Sequence, residues 1–334
     1  MRAWRVRELG EPEEALKLEE IEDPSPEPGE AAVEVEAAAL NFFDILLCRG
    51  EYQERPEPPF TLGAEVSGTV SEVGEGVDLA VGSRVLAAPR LPRGGLAEKV
   101  SVPASLVFPV PQTMPFESAA ALHVVYQTAH FALHRRANLR EGESVLVHAG
   151  AGGVGSAAVQ LAKAAGARVF ATAGGAQKVE ICRALGAEVA IDYREENFVE
   201  AVKEATSGRG VDVIFDPVGG DVFDASRRCV AFEGRIVVIG FTGGRIAEAP
   251  TNHLLIKNYS VVGLHWGLYG KVMPHLIRET HDELMRLYEG GKIDPLVGEV
   301  VPFEEVPQAL MLLGSRSSRG KIVTRPGLRG GAAI

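Results

Sequence analysis

The chain has 334 residues, of which 46% are hydrophobic and 24% charged, and it carries a formal net charge of −11 at pH 7. This length suggests two domains, and the negative charge disfavours a polyanionic partner such as nucleic acid. No apolar run approaches the ~18 residues of a membrane span, and the first residues lack the apolar core of a signal peptide. Three scattered cysteines favour a reducing compartment over a disulfide framework. These features predict a cytoplasmic protein with no membrane or nucleic-acid partner.

Residues 1–115 lack helical periodicity and contain short strand-like segments. In Ala31–Ala38, apolar and polar residues alternate as they do in a half-buried strand. Further short strands are predicted at Glu65–Val73, Arg84–Ala88 and Lys99–Val102. Glycines and prolines separate these segments, and this pattern is typical of a compact antiparallel β-barrel.

After Pro115 the sequence changes to alternating strands and helices, which is typical of a doubly wound parallel sheet. An Ala-rich helix is predicted for Ser118–Leu133. The predicted strands that follow are Ser144–His148, Arg168–Thr172, Val189–Ile191, Val211–Phe215, Arg235–Ile239 and Asn258–Leu264. The predicted helices are Ser156–Ala165, Ala176–Leu185, Phe198–Thr206, Val222–Val230 and Lys271–Tyr288. The tail returns to strand-like segments, so the first domain is predicted to comprise 1–117 and 266–334, and the second 118–265.

A glycine-rich turn lies between the predicted strand at Ser144–His148 and the helix that follows it. Gly150, Gly152 and Gly155 fit the pattern G-x-G-x-x-G. These glycines permit a tight turn, close approach of the backbone to a pyrophosphate, and close packing of helix on strand. The helix that follows offers unpaired N–H groups and the positive end of its dipole. In this strand–turn–helix context the pattern predicts a dinucleotide site.

The end of the second predicted strand indicates which dinucleotide binds. Proteins specific for NAD place an acid there, ~20 residues after the first glycine, to hold the ribose 2′-hydroxyl. Here the strand ends in Ala173, Gly174 and Gly175, without an acid, and Lys178 follows. The missing carboxylate leaves room for a 2′-phosphate, which Lys178 can neutralise. The sequence therefore predicts NADPH rather than NADH.

Motifs spread over nearly the whole chain carry a family resemblance. They are N-x-x-D followed by G-x-Y at Asn41–Tyr52, G-A-E at Gly63–Glu65, A-x-A-G-G-V-G at Ala149–Gly155, D-x-V-G-G at Asp216–Gly220, and S-R…G-K at Ser315–Lys321. No single motif is specific, but the set is. The chain resembles the zinc-independent quinone oxidoreductases, the zeta-crystallin-like branch of the medium-chain dehydrogenase/reductase superfamily.

The resemblance implies a GroES-like β-barrel domain, a Rossmann domain and a cleft between them in which NADPH reduces quinones or related enones. It also implies a homodimer formed through the edge strand 258–264. The residues that it assigns to the 2′-phosphate are Lys178, Tyr193 and Arg316. The remaining residues assigned to the cofactor are Gly150, Ala151, Gly152, Gly153, Val154, Gly155, Gly174, Val218 and Gly240.

The same resemblance predicts a reaction without a metal. In zinc alcohol dehydrogenases of the superfamily a Cys and a His bind the catalytic metal, and the corresponding positions here look like Asn41 and Ala64. Quinones and enones are already electrophilic, so they need a hydride donor held nearby and hydrogen-bond donors for the developing oxyanion. Asn41 and Tyr52 are the predicted catalytic donors. Two other functions stay open: an enoyl-thioester reductase, and a dinucleotide-binding protein without turnover that serves as an RNA-binding or structural protein.

Overall fold

The computed structural model describes residues 1–328 of the chain, which divides into two units. Among the described residues, the first unit comprises 1–124 and 295–328, and the second comprises Val125–Asp294. The first unit is therefore discontinuous in sequence. None of the helices within residues 1–328 is long and apolar enough to cross a membrane.

The first unit is built mainly of antiparallel strands. Its strands are β1 Arg2–Val6, β2 Leu16–Glu20, β3 Glu30–Ala39, β4 Phe60–Thr61, β5 Val66–Val73, β6 Arg84–Ala87, β7 Lys99–Pro103, β8 Val107–Pro109, β15 Val297–Pro302 and β16 Lys321–Arg325. The larger sheet has the order β15-β16-β3-β5-β6-β8, with β7 also paired to β3, and the smaller one has the order β2-β1-β4. The helices are α1 Pro12–Ala15, α2 Phe42–Arg49, α3 Phe116–Ala120 and α12 Val306–Gly314. A core of alternating inward side chains, among them Val33, Val35, Val70 and Phe303, holds the sheets and α12 together.

The second unit is a six-stranded parallel sheet with the order β11-β10-β9-β12-β13-β14. Its strands are β9 Ser144–Val147, β10 Arg168–Ala173, β11 Val189–Asp192, β12 Val211–Asp216, β13 Val230–Val238 and β14 Ser260–Gly263. Its helices are α4 His123–His130, whose first two residues belong to the first unit, continued by π-helical residues Phe131–Arg136, and α5 Gly153–Ala164, α6 Ala176–Leu185, α7 Phe198–Ala205, α8 Gly220–Ser226, α9 Thr251–Lys257, α10 Trp266–Val272 and α11 Pro274–Glu289. The central strands are nearly continuous runs of buried apolar residues, because helices that follow parallel strands cover both faces of such a sheet. The predicted doubly wound sheet is confirmed.

Helices are where the structure differs most from the sequence-based prediction. The helix predicted at Ser118–Leu133 is interrupted at Ala121–Leu122, and the one predicted at Lys271–Tyr288 is interrupted at Met273, because Pro274 has no N–H to continue it. The structure also contains α2, α9 and α12, which lie in segments predicted to be strands or loops. These helices are short, and tertiary packing rather than local propensity stabilises helices of this length.

The unit boundaries also differ from the predicted ones. Residues 118–124 belong to the first unit, where Ala120 and Ala121 pack on β3. Residues 266–294 belong to the second unit, because α11 and the chain after it bind there. Gln127 Nε2 donates to the Ile277 carbonyl at 2.8 Å, and the Asp294 amide donates to Gln160 Oε1 at 2.6 Å. Such contacts join residues distant in sequence, so no local pattern reveals them.

Candidate functional site

The parallel sheet reverses its strand order between two neighbouring strands. The chain moves outward from β9 through β10 to β11, then returns to pair β12 with the other side of β9. Adjacent loops therefore leave the sheet in opposite directions at the carboxyl ends of β9 and β12, which opens a crevice. Ligands of doubly wound sheets bind at this switch point.

The glycine turn follows β9 at this switch point. A Cβ built on Gly155 would lie 2.1 Å from the Ala149 carbonyl oxygen, and one built on Gly150 would lie 2.9 Å from both Ala171 Cβ and Cys182 Sγ. Neither position has room for a side chain, and Ala149 itself adopts a φ of 53°. The turn is therefore tight enough for the backbone to approach a ligand closely.

Helix α5 begins directly after the turn and leaves donors unpaired. Its N-cap is Gly152, which has no side chain to satisfy the first amides, and the first amide of the helix that bonds to the turn backbone is that of Ser156, which donates to the Gly152 carbonyl. Unpaired amides and the helix dipole favour an anion at this end. The predicted residues Ala151, Gly153 and Val154 lie within this turn and first helical residues. Turn and helix start together fit the pyrophosphate of a dinucleotide.

Three further predicted residues follow the carboxyl ends of strands in the same sheet. Gly174 follows β10, Val218 follows β12 and Gly240 follows β13. Asp216, the last residue of β12, fixes the loop after it, because its Oδ1 accepts from the amides of Val218 at 2.8 Å and Gly219 at 2.9 Å. Since β10, β12 and β13 are parallel to β9 in the same sheet, all three residues lie at the edge that carries the glycine turn.

The loop after β10 has no carboxylate of its own. Gly174 and Gly175 lead into α6, which carries Lys178 in its first turn. Tyr193, which follows β11, is 54% exposed and covers Gly174, since a Cβ built there would lie 2.5 Å from the tyrosine hydroxyl. Arg316 lies in the first unit, exposed after the end of α12 with a φ of 60°. Its joint action with Lys178 and Tyr193 stays a prediction.

A buried histidine lies directly before the glycine turn. His148 is the residue between β9 and the turn, and Nε2 lies 2.8 Å from Ser226 Oγ while Nδ1 lies 3.0 Å from Thr172 Oγ1. Ser226 donates its own proton to the Val222 carbonyl, so it accepts from Nε2, and Thr172 donates to Nδ1. Burial lowers the pKa of His148 to about 4. His148 is thus a satisfied neutral residue of the core, as a histidine in an apolar segment usually is.

In the first unit, Asn41 belongs to a buried polar cluster. The Lys321 ammonium donates to Asn41 Oδ1 at 2.6 Å and to the Leu40 carbonyl at 2.7 Å, and it lies 2.8 Å from Glu65 Oε1. Asn41 Nδ2 donates to the same Glu65 oxygen at 3.0 Å. The Val124 amide donates to the other oxygen of Glu65 at 2.8 Å. Glu65 is fully buried, and Asn41 and Lys321 are each 5% exposed.

The cluster fixes the orientation of the Asn41 amide. The lysine requires an acceptor and the carboxylate requires a donor, so Oδ1 faces one and Nδ2 the other. The second Nδ2 proton has only a 3.4 Å contact, to the Ala39 carbonyl. This proton is the donor that Asn41 retains for another molecule. Its catalytic role stays a prediction. Sequence reasoning did not find Lys321 as a partner, because 280 positions separate it from Asn41.

Asp44 adds a titratable group next to this cluster. Its Oδ2 accepts from the Asn41 amide at 2.8 Å and so fixes the start of α2. Burial raises the pKa of Asp44 to about 7. The carboxyl group therefore changes its protonation state near neutral pH, and the bond to the Asn41 amide is strongest in the ionised form.

Tyr52 is the second predicted catalytic donor. Its ring stacks on Phe43, with 5.4 Å between the ring centroids, and packs against the core of the first unit. Partial burial raises the pKa of the Tyr52 hydroxyl, so it remains protonated at neutral pH. The hydroxyl makes no hydrogen bond within residues 1–328. It therefore has a proton to donate, and its catalytic role also stays a prediction.

Metal ligands and cysteines give no second candidate site within residues 1–328. No group of three or more His, Cys, Asp or Glu in this range could hold a metal ion. Cys48, Cys182 and Cys229 are free and buried. Burial raises the pKa of each thiol to about 12, which suppresses the reactive thiolate.

Comparison with known proteins identifies the class to which this fold belongs. Residues 27–112 match the model of the alcohol dehydrogenase GroES-like domain, and residues 153–286 match that of the zinc-binding dehydrogenases. The chain is 40% identical to quinone oxidoreductase-like protein 2 homolog of Nematostella vectensis, over 96% of this chain and 88% of that one. The quinone oxidoreductase of Escherichia coli, solved in complex with NADPH, is 31% identical with a TM-score of 0.89 and covers 98% of this chain and 100% of its own. The CurK enoyl reductase is 30% identical with a TM-score of 0.87 and covers 97% of this chain and 98% of its own.

The chain is therefore a medium-chain dehydrogenase/reductase, with a GroES-like domain and a Rossmann domain. Within that superfamily it belongs to the quinone oxidoreductase-like proteins. The fold and the family predicted from the sequence motifs are both confirmed.

Proposed function

We propose that the protein catalyses the NADPH-dependent, metal-independent reduction of quinones or related enones. The observation that carries this proposal is the dinucleotide turn at the switch point of the sheet, next to a β10 end that supplies no carboxylate of its own. Membership of the oxidoreductase family supports the reaction class.

The cofactor is NADPH, which supplies a hydride when it is bound. Residues Gly150–Gly155 hold its pyrophosphate with the unpaired amides at the start of α5. Lys178 and Tyr193, beside Gly174, hold the 2′-phosphate. The E. coli relative, crystallised with NADPH, supports this assignment.

Asn41 and Tyr52 act on the substrate oxygen in this proposal. Each has an N–H or O–H that the described residues leave without a strong partner. Negative charge develops on the oxygen of a quinone or enone during its reduction, and preorganised donors stabilise that charge more than they stabilise the ground state. Lys321 and Glu65 keep the Asn41 amide oriented, so no reorganisation is needed when the charge forms.

A turnover assay tests the proposed function. We expect purified protein to oxidise NADPH with a small quinone or enone as the acceptor, and to retain this activity after exhaustive chelation. Loss of activity on chelation, restored by Zn²⁺, would contradict the metal-independent mechanism. Binding of NADPH without turnover of any acceptor would instead support the dinucleotide-binding protein with an RNA-binding or structural role.

A second candidate is the reduction of enoyl thioesters. The similarity to the CurK enoyl reductase favours it. The reaction needs the same cofactor and the same donors to a carbonyl oxygen, so the fold alone does not separate the two substrates. Comparing kcat/KM for a simple enone with that for a crotonyl thioester, in the same preparation, distinguishes them: a large preference for the thioester would replace the quinone assignment.

We also propose a homodimer that forms through β14 in a cytoplasmic setting. Within residues 1–328, β14 pairs with β13 on one side only. Ser260 and Gly263 are exposed, as are Leu255 and Ile256 of the preceding helix, at 78% and 74%. An open strand edge beside exposed apolar side chains favours pairing with a second copy. We expect sedimentation equilibrium to give twice the mass of the 35.6 kDa chain, and a monomer at micromolar concentration would refute the proposal.

A further inference from the structure

Arg194 lies over the start of α6, a position that the sequence motifs did not single out. It is the second residue after β11, directly following Tyr193. A Cβ built on Gly174 would lie 3.0 Å from Arg194 Nε, and one built on Gly175 would lie 3.5 Å from Arg194 Nη1. The guanidinium is thus next to the two glycines that follow β10, a strand end that supplies no carboxylate of its own.

Asp192 holds this arrangement together. Its Oδ1 accepts from the Gly175 amide at 3.0 Å and from the Arg194 amide at 3.0 Å. Hydrogen bonds from these two amides lower the pKa of Asp192, so its carboxylate is ionised at neutral pH. The carboxylate is bound to the backbone, and it ties the loop after β11 to the amino end of α6. These two hydrogen bonds to backbone amides therefore fix the position of the Arg194 backbone relative to Gly174 and Gly175.

The Arg194 guanidinium lies near enough to the Asp192 carboxylate for its charge to help lower the pKa of that group, but it does not form an ion pair with it. It is exposed, and among residues 1–328 it makes no hydrogen bond and no salt bridge. Arg183, at the other end of the same ten-residue helix, is by contrast paired with Glu180. A planar guanidinium presents two parallel N–H groups that match two oxygens of a phosphate.

Several groups that attract an anion converge near this guanidinium. Helix α6 has Gly175 as its N-cap, without a side-chain cap, so its first amides and dipole face the loop. Lys178 is in its first turn, and the Tyr193 hydroxyl lies over Gly174. A phosphate here would contact the two N–H groups of the Arg194 guanidinium, the Lys178 ammonium and the Tyr193 hydroxyl. It would also lie at the amino end of α6.

We propose that Arg194 binds the 2′-phosphate of NADPH and is a specificity-determining residue for NADPH over NADH. This inference rests on the proposed cofactor. Arg194 supplies the bidentate contact, and Lys178 supplies a point charge. Because both act only on the phosphate, neither contributes to the binding of NADH.

The test is a set of dissociation constants measured by calorimetry for NADPH, NADH and adenosine 2′,5′-bisphosphate. For Arg194→Ala we expect weakening of about tenfold or more for NADPH and for the bisphosphate. NADH should change by less than twofold. Arg194→Lys should recover only part of the loss, since it restores the charge without the fork. Lys178→Ala is measured in parallel, and Arg183→Ala, which removes an exposed arginine from the far end of α6, is the matched control.

Two outcomes overturn the inference. Unchanged NADPH affinity in Arg194→Ala would show that the guanidinium does not touch the phosphate. Equal weakening of NADPH and NADH would show that Arg194 stacks on the adenine instead. Wild-type protein that binds NADH as tightly as NADPH would be a different failure, since it would remove the proposed cofactor itself, whatever Arg194 contributes.

Discussion

Replacing Tyr52 with Phe should lower kcat for a quinone by up to ~10²–10³-fold, if its hydroxyl acts like an oxyanion-hole donor. The hydroxyl has no partner within residues 1–328, so its removal leaves no unsatisfied group and should not change the unfolding temperature. NADPH affinity should also be unchanged. The measurement is steady-state turnover over a series of acceptors, and the loss should be smallest for the most electrophilic one, which needs least help.

Asn41→Ala should lower kcat by a similar factor, but it should also cost stability. The substitution removes an acceptor from the Lys321 ammonium and a donor from Glu65, both of which are buried. The two substitutions therefore separate a catalytic effect from a structural one. Tyr288→Phe, at a half-buried tyrosine of α11, is the matched control and should leave turnover unchanged. Wild-type turnover in both Tyr52→Phe and Asn41→Ala, on every acceptor, would make these residues structural.

The parts of the site that sequence predicted best are those built from neighbouring residues. The strand, the glycine turn and the start of α5 depend on local geometry, because Gly155 is required by its contact with the Ala149 carbonyl of the same turn. Gly174 and Lys178 were likewise identified from one short segment, the end of β10 and the start of α6. Local rules of turn formation and helix capping were sufficient for them.

The parts that sequence did not reveal depend on contacts between distant segments. The Lys321 ammonium reaches Asn41 only because β16 lies beside β3 in the sheet. Arg194 reaches Gly174 only because β11 lies beside β10. The boundary at Asp294 depends on the packing of α11. Each case requires strand pairing or helix packing to be known first, and periodicity in one segment does not supply it.

Removing only the lysine from the buried pair of Lys321 and Glu65 should strongly destabilise the first unit. In Lys321→Met, the fully buried Glu65 would lose its cation, and Asn41 Oδ1 would lose its donor. Removing one partner of a buried ion pair costs about 3–5 kcal/mol, because the remaining charge is left in a medium that solvates it poorly. We expect a loss of this size in urea unfolding at neutral pH.

Two further variants show whether that loss comes from the unpaired charge. Lys321→Met combined with Glu65→Gln removes both charges, so the double variant should be more stable than Lys321→Met alone, by most of the lost free energy. Lys203→Met makes the same substitution at a half-buried lysine of α7, whose ammonium lies 3.8 Å from the exposed Glu200. It should cost no more than about 1 kcal/mol, since exposed ion pairs contribute little. If Lys321→Met and Lys203→Met were equally stable, the Asn41 amide would not depend on the buried pair for its orientation, and Lys321 could not act as its support.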